Sequence, residues 1–367
     1  MSHLIQVPLQ KNKYPVVVGH KILSELPRRL KQAKLGCDAV IITNPSIRRK
    51  CAGKLTPVLK RAGYSVNFLI VPDSEQSKSL NQLGRLLNRL AQLDGIGRSL
   101  FLIAFGGGVV GDVTGLAASL YLRGIPYVQV PTTLLGQVDS AIGGKTAVDL
   151  PHGKNLVGSF YQPKLVFSDL IWIRQLPKRQ RVSGMAEIIK YGVIRDPRLF
   201  GYLEKHRSRL LKADPKTLSY VIARSSRIKG EVVAADERET KGIRTILNFG
   251  HTIGHGIEAA THYSGRYTHG ESVAMGMVAA TNIAVQLGIC SSSVEKRLVG
   301  LTQKFGLPVR ARGVSAQKVL RAIRHDKKAK RGRLRWVLPT RIGHVVVTPD
   351  VPETVVKQAI QACVAGK

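Results

Sequence analysis

Six short runs rich in β-branched and aromatic residues recur through roughly the first half of the chain: YPVVVG (14–19), DAVIIT (38–43), SVNFLIV (65–71), SLFLIAF (99–105), YVQV (127–130) and LVFSD (165–169). Helix-like segments such as residues 24–35 and 80–93 lie between them. Strands separated by helices cannot close as tight hairpins, so each connection must cross over, and the rhythm predicts an α/β domain with a largely parallel sheet. Ligands of such sheets bind beyond the carboxyl ends of the strands. After about residue 170 the strand pattern nearly vanishes, and segments 197–211, 215–232, 251–261, 272–287 and 293–305 carry helical periodicity. One late strand-like pair, LRWVLP (334–339) and HVVVT (344–348), interrupts them. The reading is an α/β domain over residues 1–170 followed by a mainly α-helical domain over 171–367, a length that lets each bury its own core.

Charge narrows the partners. With 57 Lys+Arg against 23 Asp+Glu the formal net charge is +34, which draws polyanions and raises the on-rate of small anionic ligands. The basic residues are spread along the chain, with modest clusters at 28–34, 178–181 and 324–335, and no nucleic-acid motif accompanies them. The preferred reading is therefore a basic protein without a specific nucleic-acid partner. A 44% hydrophobic, 22% charged chain is globular in composition. No apolar run approaches the ~18 residues of a membrane helix. The first residues, MSHLIQVPLQKNKYPVVVG, lack the features of a secretory signal, and Cys37, Cys51, Cys290 and Cys363 show neither CxxC spacing nor disulfide density. A cytoplasmic protein is expected.

Three stretches carry chemistry. SLFLIAF runs into GGGVVGDVTG, where Gly106, Gly108 and Gly111 fit the G-x-G-x-x-G spacing that lets a pyrophosphate approach amides at a helix start. The same glycines also suit plain packing of a helix on a sheet. PDSEQSK (72–78) follows an earlier strand and offers Glu75 to ribose hydroxyls and Lys78 to phosphate. The stretch 131–155 is rich in glycine and small residues and holds Asp139, Lys145 and Lys154, read as one polar, functional loop region suited to a phosphorylated or carboxylated ligand. In NFGHTIGHGIE (248–258), His251 and His255 stand four apart on one helical face, the arrangement that lets two imidazoles share a metal or a substrate. Glu187, Glu258 and His269 are candidates for a third ligand. Spacing alone favours His251, His255 and a glutamate.

Taken together, GGGVVGD (106–112), RGIPYVQVPTTLLGQVDSAIGGKTAVD (123–149), GKNLVGSFYQP (153–163), GMAEIIKYG (184–192), RTILNFGHTIGHGIE (244–258) and HGE (269–271) resemble the 3-dehydroquinate synthase family over nearly the whole chain. The resemblance implies a Rossmann-like NAD-binding N-terminal domain, a helical metal-carrying C-terminal domain, an active site in the cleft between them, and a homodimer. It implies a reaction in which 3-deoxy-D-arabino-heptulosonate 7-phosphate becomes 3-dehydroquinate and phosphate through transient oxidation by NAD, assisted by zinc or cobalt, then elimination, re-reduction and aldol closure. Metal ligands carried over by the resemblance are Glu187, His251 and His269, with His255 facing substrate instead. NAD contacts carried over are Asp73, Ser74, Glu75, Gln76, Ser77 and Lys78; Gly108, Val109, Val110, Gly111 and Asp112; Thr132, Thr133, Asp139, Lys145 and Lys154; and Trp172, Ile173, Arg174 and Gln175. Substrate contacts carried over are Arg123, Lys145, Asn155, Lys190, Lys229, Arg244, Asn248 and one of Lys327 or Lys328. The chain departs from the family pattern at Asn44 and Ser46, at Gln175, and in DERETKGIR (236–244), one residue longer than usual. Sibling sugar phosphate cyclases, a metal-dependent polyol dehydrogenase and a charge-driven nucleic-acid binder are the competing readings.

Overall fold

The computed structural model describes residues 2–93, 99–329 and 334–364, the side chains of 325–329 excepted. Two compact units emerge: Met1–Leu176 with Leu218–Arg238, and Pro177–Thr217 with Glu239–Lys367.

The first unit is built on β1 (His3–Val7), β2 (Tyr14–Gly19), β3 (Asp38–Thr43), β4 (Ser65–Ile70), β5 (Leu100–Gly106) and β6 (Tyr127–Pro131), completed after the hairpin β7 (Lys145–Leu150) and β8 (Gly153–Phe160) by β9 (Leu165–Asp169). The sheet order is β1-β2-β9-β6-β5-β3-β4, and every pairing is parallel except β1 with β2, the two strands joined without a helix. All of β5 is buried, as expected of a parallel strand covered on both faces. Alternate residues serve opposite cores: Ile41, Phe101, Ile103 and Phe105 join one, and Val40, Ile42, Leu102 and Ala104 the other. Helices α1 (Leu26–Gln32) and α2 (Pro45–Arg61) close the first core, while α3 (Leu80–Gln92) and α4 (Gly108–Leu120) close the second. Neighbouring strands β3 and β5 thus send their helices to opposite faces, and the gap this leaves beyond their carboxyl ends is the topological switch point where α/β sheets take ligands.

Two features differ from the sequence reading. Residues 131–155 are not one loop: they form a π turn, Gly136–Ser140, and most of the antiparallel β7–β8 hairpin. Only Thr146 and Val148 of β7 are fully buried, so the strand alternation is too weak to read among so many glycines and polar residues. The single boundary near residue 170 is also replaced, because Leu218–Arg238 belongs with the first unit. There Ser226 donates to the Gln137 carbonyl at 3.4 Å, and Gly230 lies against Val7.

The second unit consists of α5 (Lys178–Ile194), α6 (Pro197–Leu211), the first turn of α7 (Pro215–Ala235), α8 (His251–Ala260), α9 (His269–Gln286), α10 (Ser292–Lys304), α11 (Ala316–Ala329), the hairpin β10 (Trp336–Arg341) and β11 (His344–Thr348), and α12 (Glu353–Val364). Every residue of α5 from Val182 to Ile194 is buried. A helix covered on all sides carries no amphipathic stripe, which is why periodicity did not announce it. Helix α9 starts three residues earlier than its apolar pattern because Thr268 and Glu271 form a capping box. Its first residue is therefore His269. No helix among the described residues is long and apolar enough to cross a membrane.

Candidate active site

Three helices of the second unit converge on one point. Buried α5 supplies Glu187, the start of α8 supplies His251, and the start of α9 supplies His269. Close backbone approach makes this possible. A Cβ on Gly270 would stand 1.9 Å from the Ser183 carbonyl oxygen of α5, and one on Gly276 would stand 1.9 Å from the Gly250 carbonyl oxygen just before α8. The potential ligand atoms of Glu187, His251 and His269 lie within 4.8 Å of one another. Glu187 Oε1 is 3.6 Å from each Nε2, beyond hydrogen-bond length. Atoms about 2.1 Å from a tetrahedral zinc stand about 3.4 Å apart, so a cation fits between them. Two imidazoles and a carboxylate form the donor set of an open catalytic zinc site, and cobalt accepts the same set.

The spacing-based trio of His251, His255 and a glutamate is not what assembles. His255 is exposed, its ring edge-on to His251 at 5.3 Å between centroids. Helical spacing finds neighbours on one helix, whereas Glu187, His251 and His269 come from three. His255 instead falls in a second grouping with Glu258 and His269.

Electrostatics differ sharply between the two prospective ligands. Burial, aided by the Lys190 ammonium, pushes His251 down to about 3, so its ring is neutral. For His269 burial pulls the same way, but the Glu187 and Glu258 carboxylates on either side of the ring outweigh it and lift it to about 10. Lys190, itself buried, ion-pairs with Glu187. The Phe249 carbonyl lies 3.2 Å from His251 Nδ1, which favours a proton there and leaves Nε2 to face the centre.

In the first unit the glycine turn sits at the switch point. A Cβ on Gly106 would lie 2.6 Å from Val110, and one on Gly111 would meet the Gln129 amide at 3.0 Å, so these two glycines do pack helix on sheet. Gly108 opens α4, whose N-terminus has no side-chain cap, so its first amides suit an anion such as a pyrophosphate. Packing thus accounts for Gly106 and Gly111, while the amides from Gly108 onward are left available for an anion.

The other expected cofactor residues lie on several elements of the same unit. Asn44 caps α2 and donates to Asp73 at 2.8 Å, tying the β3 end to the β4 end. Ser74, Glu75 and Gln76 are exposed, and Lys154 reaches Glu75 at 2.9 Å. Ser77 and Lys78 are buried, and Lys78 Nζ contacts Asp112 at 2.7 Å and Asn155 at 2.5 Å. Burial works to discharge Lys78, but Asp112 prevails and raises its pKa; Asp112 is itself lifted by burial. Thr132 is buried, Thr133 accepts from the Gly136 amide, and Lys145 is exposed at the start of β7. Val110, Trp172 and Ile173 are core residues, so contact there is open only to their backbone, while Val109 is half-buried. Arg174 and Gln175 are exposed, and Gln175 accepts from Cys51 Sγ.

The expected substrate residues divide between the units. Arg123, Lys145, Asn155 and Lys229 belong to the first; Lys190, Arg244, Asn248 and His255 belong to the second. Arg123 and Asn155 adopt left-handed backbone with φ of 65° and 55°, a costly state for non-glycine residues that clusters at ligand sites. Asp149 holds Asn155 in place by accepting its amide at 2.8 Å. Lys229 ion-pairs with Asp139, an expected NAD contact, at 2.8 Å. Arg244 is buried against Glu239 and Asn248 is exposed. The side chains of Lys327 and Lys328 lie outside the described residues. Sequence reasoning missed Ser183, whose contact carries no motif, and Thr268, which the T-x-x-E spacing of a capping box at 268–271 could have found.

A doubly covered parallel sheet with a glycine turn at its switch point and a helical unit form an architecture shared with solved sugar phosphate cyclases. A 2-deoxy-scyllo-inosose synthase solved with carbaglucose-6-phosphate, NAD+ and cobalt superposes with a TM-score of 0.88 at 28% identity, covering 99% of this chain and 100% of that one. The 2-epi-5-epi-valiolone synthase of Streptomyces hygroscopicus, solved with NAD+ and zinc, gives a TM-score of 0.87 at 27% identity over 97% and 98%. Residues 68–183 match the family described as 3-dehydroquinate synthase N-terminal, and residues 184–329 match 3-dehydroquinate synthase C-terminal. The 3-dehydroquinate synthase of Nostoc punctiforme is 44% identical over 98% of this chain and 99% of its own length. The chain belongs to the 3-dehydroquinate synthase family.

Proposed function

We propose that this chain converts 3-deoxy-D-arabino-heptulosonate 7-phosphate to 3-dehydroquinate and phosphate, using NAD and a divalent cation, zinc or cobalt. The observation that carries the reading is the match to both halves of the synthase family. NAD supplies a recyclable hydride acceptor and the cation a Lewis acid. In this reading Glu187, His251 and His269 hold the cation. The open amides of α4 take the pyrophosphate, and Glu75 takes ribose hydroxyls. Lys145, Asn155, Arg123 and Lys190 hold the substrate phosphate, where fixed cations orient it for departure. The proton beside the new ketone goes to an oxygen of the leaving phosphate. Arg244 offers its guanidinium to the carboxylate, and the exposed His255 ring, with Asn248, passes protons during ring opening and closure, in the roles the resemblance implies. A cytoplasmic homodimer without specific nucleic-acid partners accompanies this reading.

The decisive assay is phosphate release by cation-loaded protein with catalytic NAD, with the product identified as 3-dehydroquinate. Release that needs both NAD and cation, without net NADH, is expected. The cyclases that share the fold give the second reading, since a common fold does not set the substrate. Turnover of a hexose phosphate or a heptose phosphate lacking the carboxylate, with silence on the proposed substrate, would establish it instead.

A further inference from the structure

Helix α8 carries three polar groups on one face, His251, His255 and Glu258, at positions i, i+4 and i+7. The first two have roles in the reading above; the third has none. Its Oε1 lies 3.5 Å from His269 Nδ1, while the opposite ring nitrogen of His269 faces Glu187 Oε1 at 3.6 Å. We infer that Glu258 positions His269 for the cation: its carboxylate accepts from the Nδ1–H and so turns Nε2 toward Glu187 and His251. The inference rests on the metal reading proposed above.

The chemistry leaves little freedom. An imidazole that binds a cation keeps a single N–H, and an ionised carboxylate only accepts, so with the cation bound the partner of Glu258 must be the protonated nitrogen and the other must be the donor atom. His251 shows the same device with a different acceptor, the Phe249 carbonyl 3.2 Å from its Nδ1. Each prospective ligand thus has an oxygen behind its ring and Glu187 ahead of it. The Glu258 side chain is only 13% exposed, so water screens the contact weakly. A rival use of the same residues is a cation held by His255, Glu258 and His269 themselves. That arrangement would spend Nδ1 of His269 and leave Glu187, fully buried, without the cation, so the Glu187 centre is preferred.

The test uses full-length protein loaded with cobalt, whose visible spectrum reports the ligand set and whose paramagnetism shifts the exchangeable ring N–H signals of ligating histidines. Affinity is read by competition with a chelator. Glu258→Ala is expected to weaken cobalt binding about 10–100-fold, the range for partners behind a metal-bound histidine. It should also abolish or move one of two shifted N–H signals. Glu258→Gln, whose amide oxygen still accepts, should recover part of the affinity, and both variants should keep the spectral shape of the parent. Unchanged affinity and N–H signals in Glu258→Ala would overturn the inference while loss of cobalt in Glu187→Gln upheld the site. A spectrum altered in Glu258→Gln as in Glu187→Gln would overturn it by making Glu258 a ligand. Normal cobalt binding by Glu187→Gln would bring down the metal reading and this inference with it.

Discussion

Replacing Gly270 by alanine tests how the centre is assembled, because this position touches no prospective ligand atom yet sits next to His269. The added Cβ would stand 1.9 Å from the Ser183 carbonyl oxygen, 2.6 Å from its carbon and 2.7 Å from its hydroxyl. Ordinary carbon contacts begin near 3.5 Å, so the start of α9 must retreat from α5 by more than about 1 Å. Overpacking of this kind costs about 1–3 kcal/mol, occasionally more. Ser183 lies one helical turn before Glu187, so the retreat opens the Glu187–His269 distance directly. Metal sites tolerate about 0.2 Å in ligand distance. The expected result is a lower unfolding midpoint and a loss of cobalt or zinc affinity of at least about 10²-fold, on the scale of a 1 Å misplacement. Gly300→Ala is the control, since its Cβ would meet nothing within 4 Å in α10. It should stabilise by about 0.5–1 kcal/mol, the helix preference for alanine, and leave metal affinity alone. Parent-like stability and metal binding in Gly270→Ala would refute the argument.

Glu187→Gln leaves the Lys190 ammonium buried at 1% exposure without its carboxylate; removing one partner of a buried pair costs about 3–5 kcal/mol, so denaturant unfolding of the metal-free variant should show a loss of that order. With no cation bound, His269 holds a proton up to about pH 10, so binding at pH 7 should release about one proton and affinity should rise with pH below that value; calorimetry in buffers of different ionisation enthalpy checks this, and binding without proton release would contradict it. Burial pushes Glu271 upward, yet Arg179 and the Thr268 amide hold its pKa below the ordinary 4.5. Its folded pKa being depressed, that stabilisation is complete above the unfolded value and fades as pH falls through the folded one. Glu271→Gln should therefore narrow its stability deficit in acid; a deficit independent of pH would argue against the capping contact.

Much of this was legible in advance because the signals are local. The central strands are near-continuous apolar runs, and their bounds match the reading to within a residue or so. Helices with an exposed side, such as Pro197–Leu211, show their period in the same way. What escaped was set by burial and by contacts remote in sequence. Helix α5 hides its period because all its faces are covered, β7 is too weakly alternating, and Leu218–Arg238 joins the first unit through Ser226 and Lys229.

The site divides along the same line. Sequence alone determined that a glycine turn follows an apolar strand, that His251 and His255 share one helical face, and which residue types are on hand for a cation. The family resemblance had named Glu187, His251 and His269, but only the tertiary structure brings their donor atoms within 4.8 Å of one another and stands Glu258 behind the His269 ring. Helical periodicity relates residues within one turn or two of each other. Which helix lies opposite depends instead on where backbones can touch, and here that is set by carbonyl oxygens lying where the Cβ atoms of Gly270 and Gly276 would otherwise be.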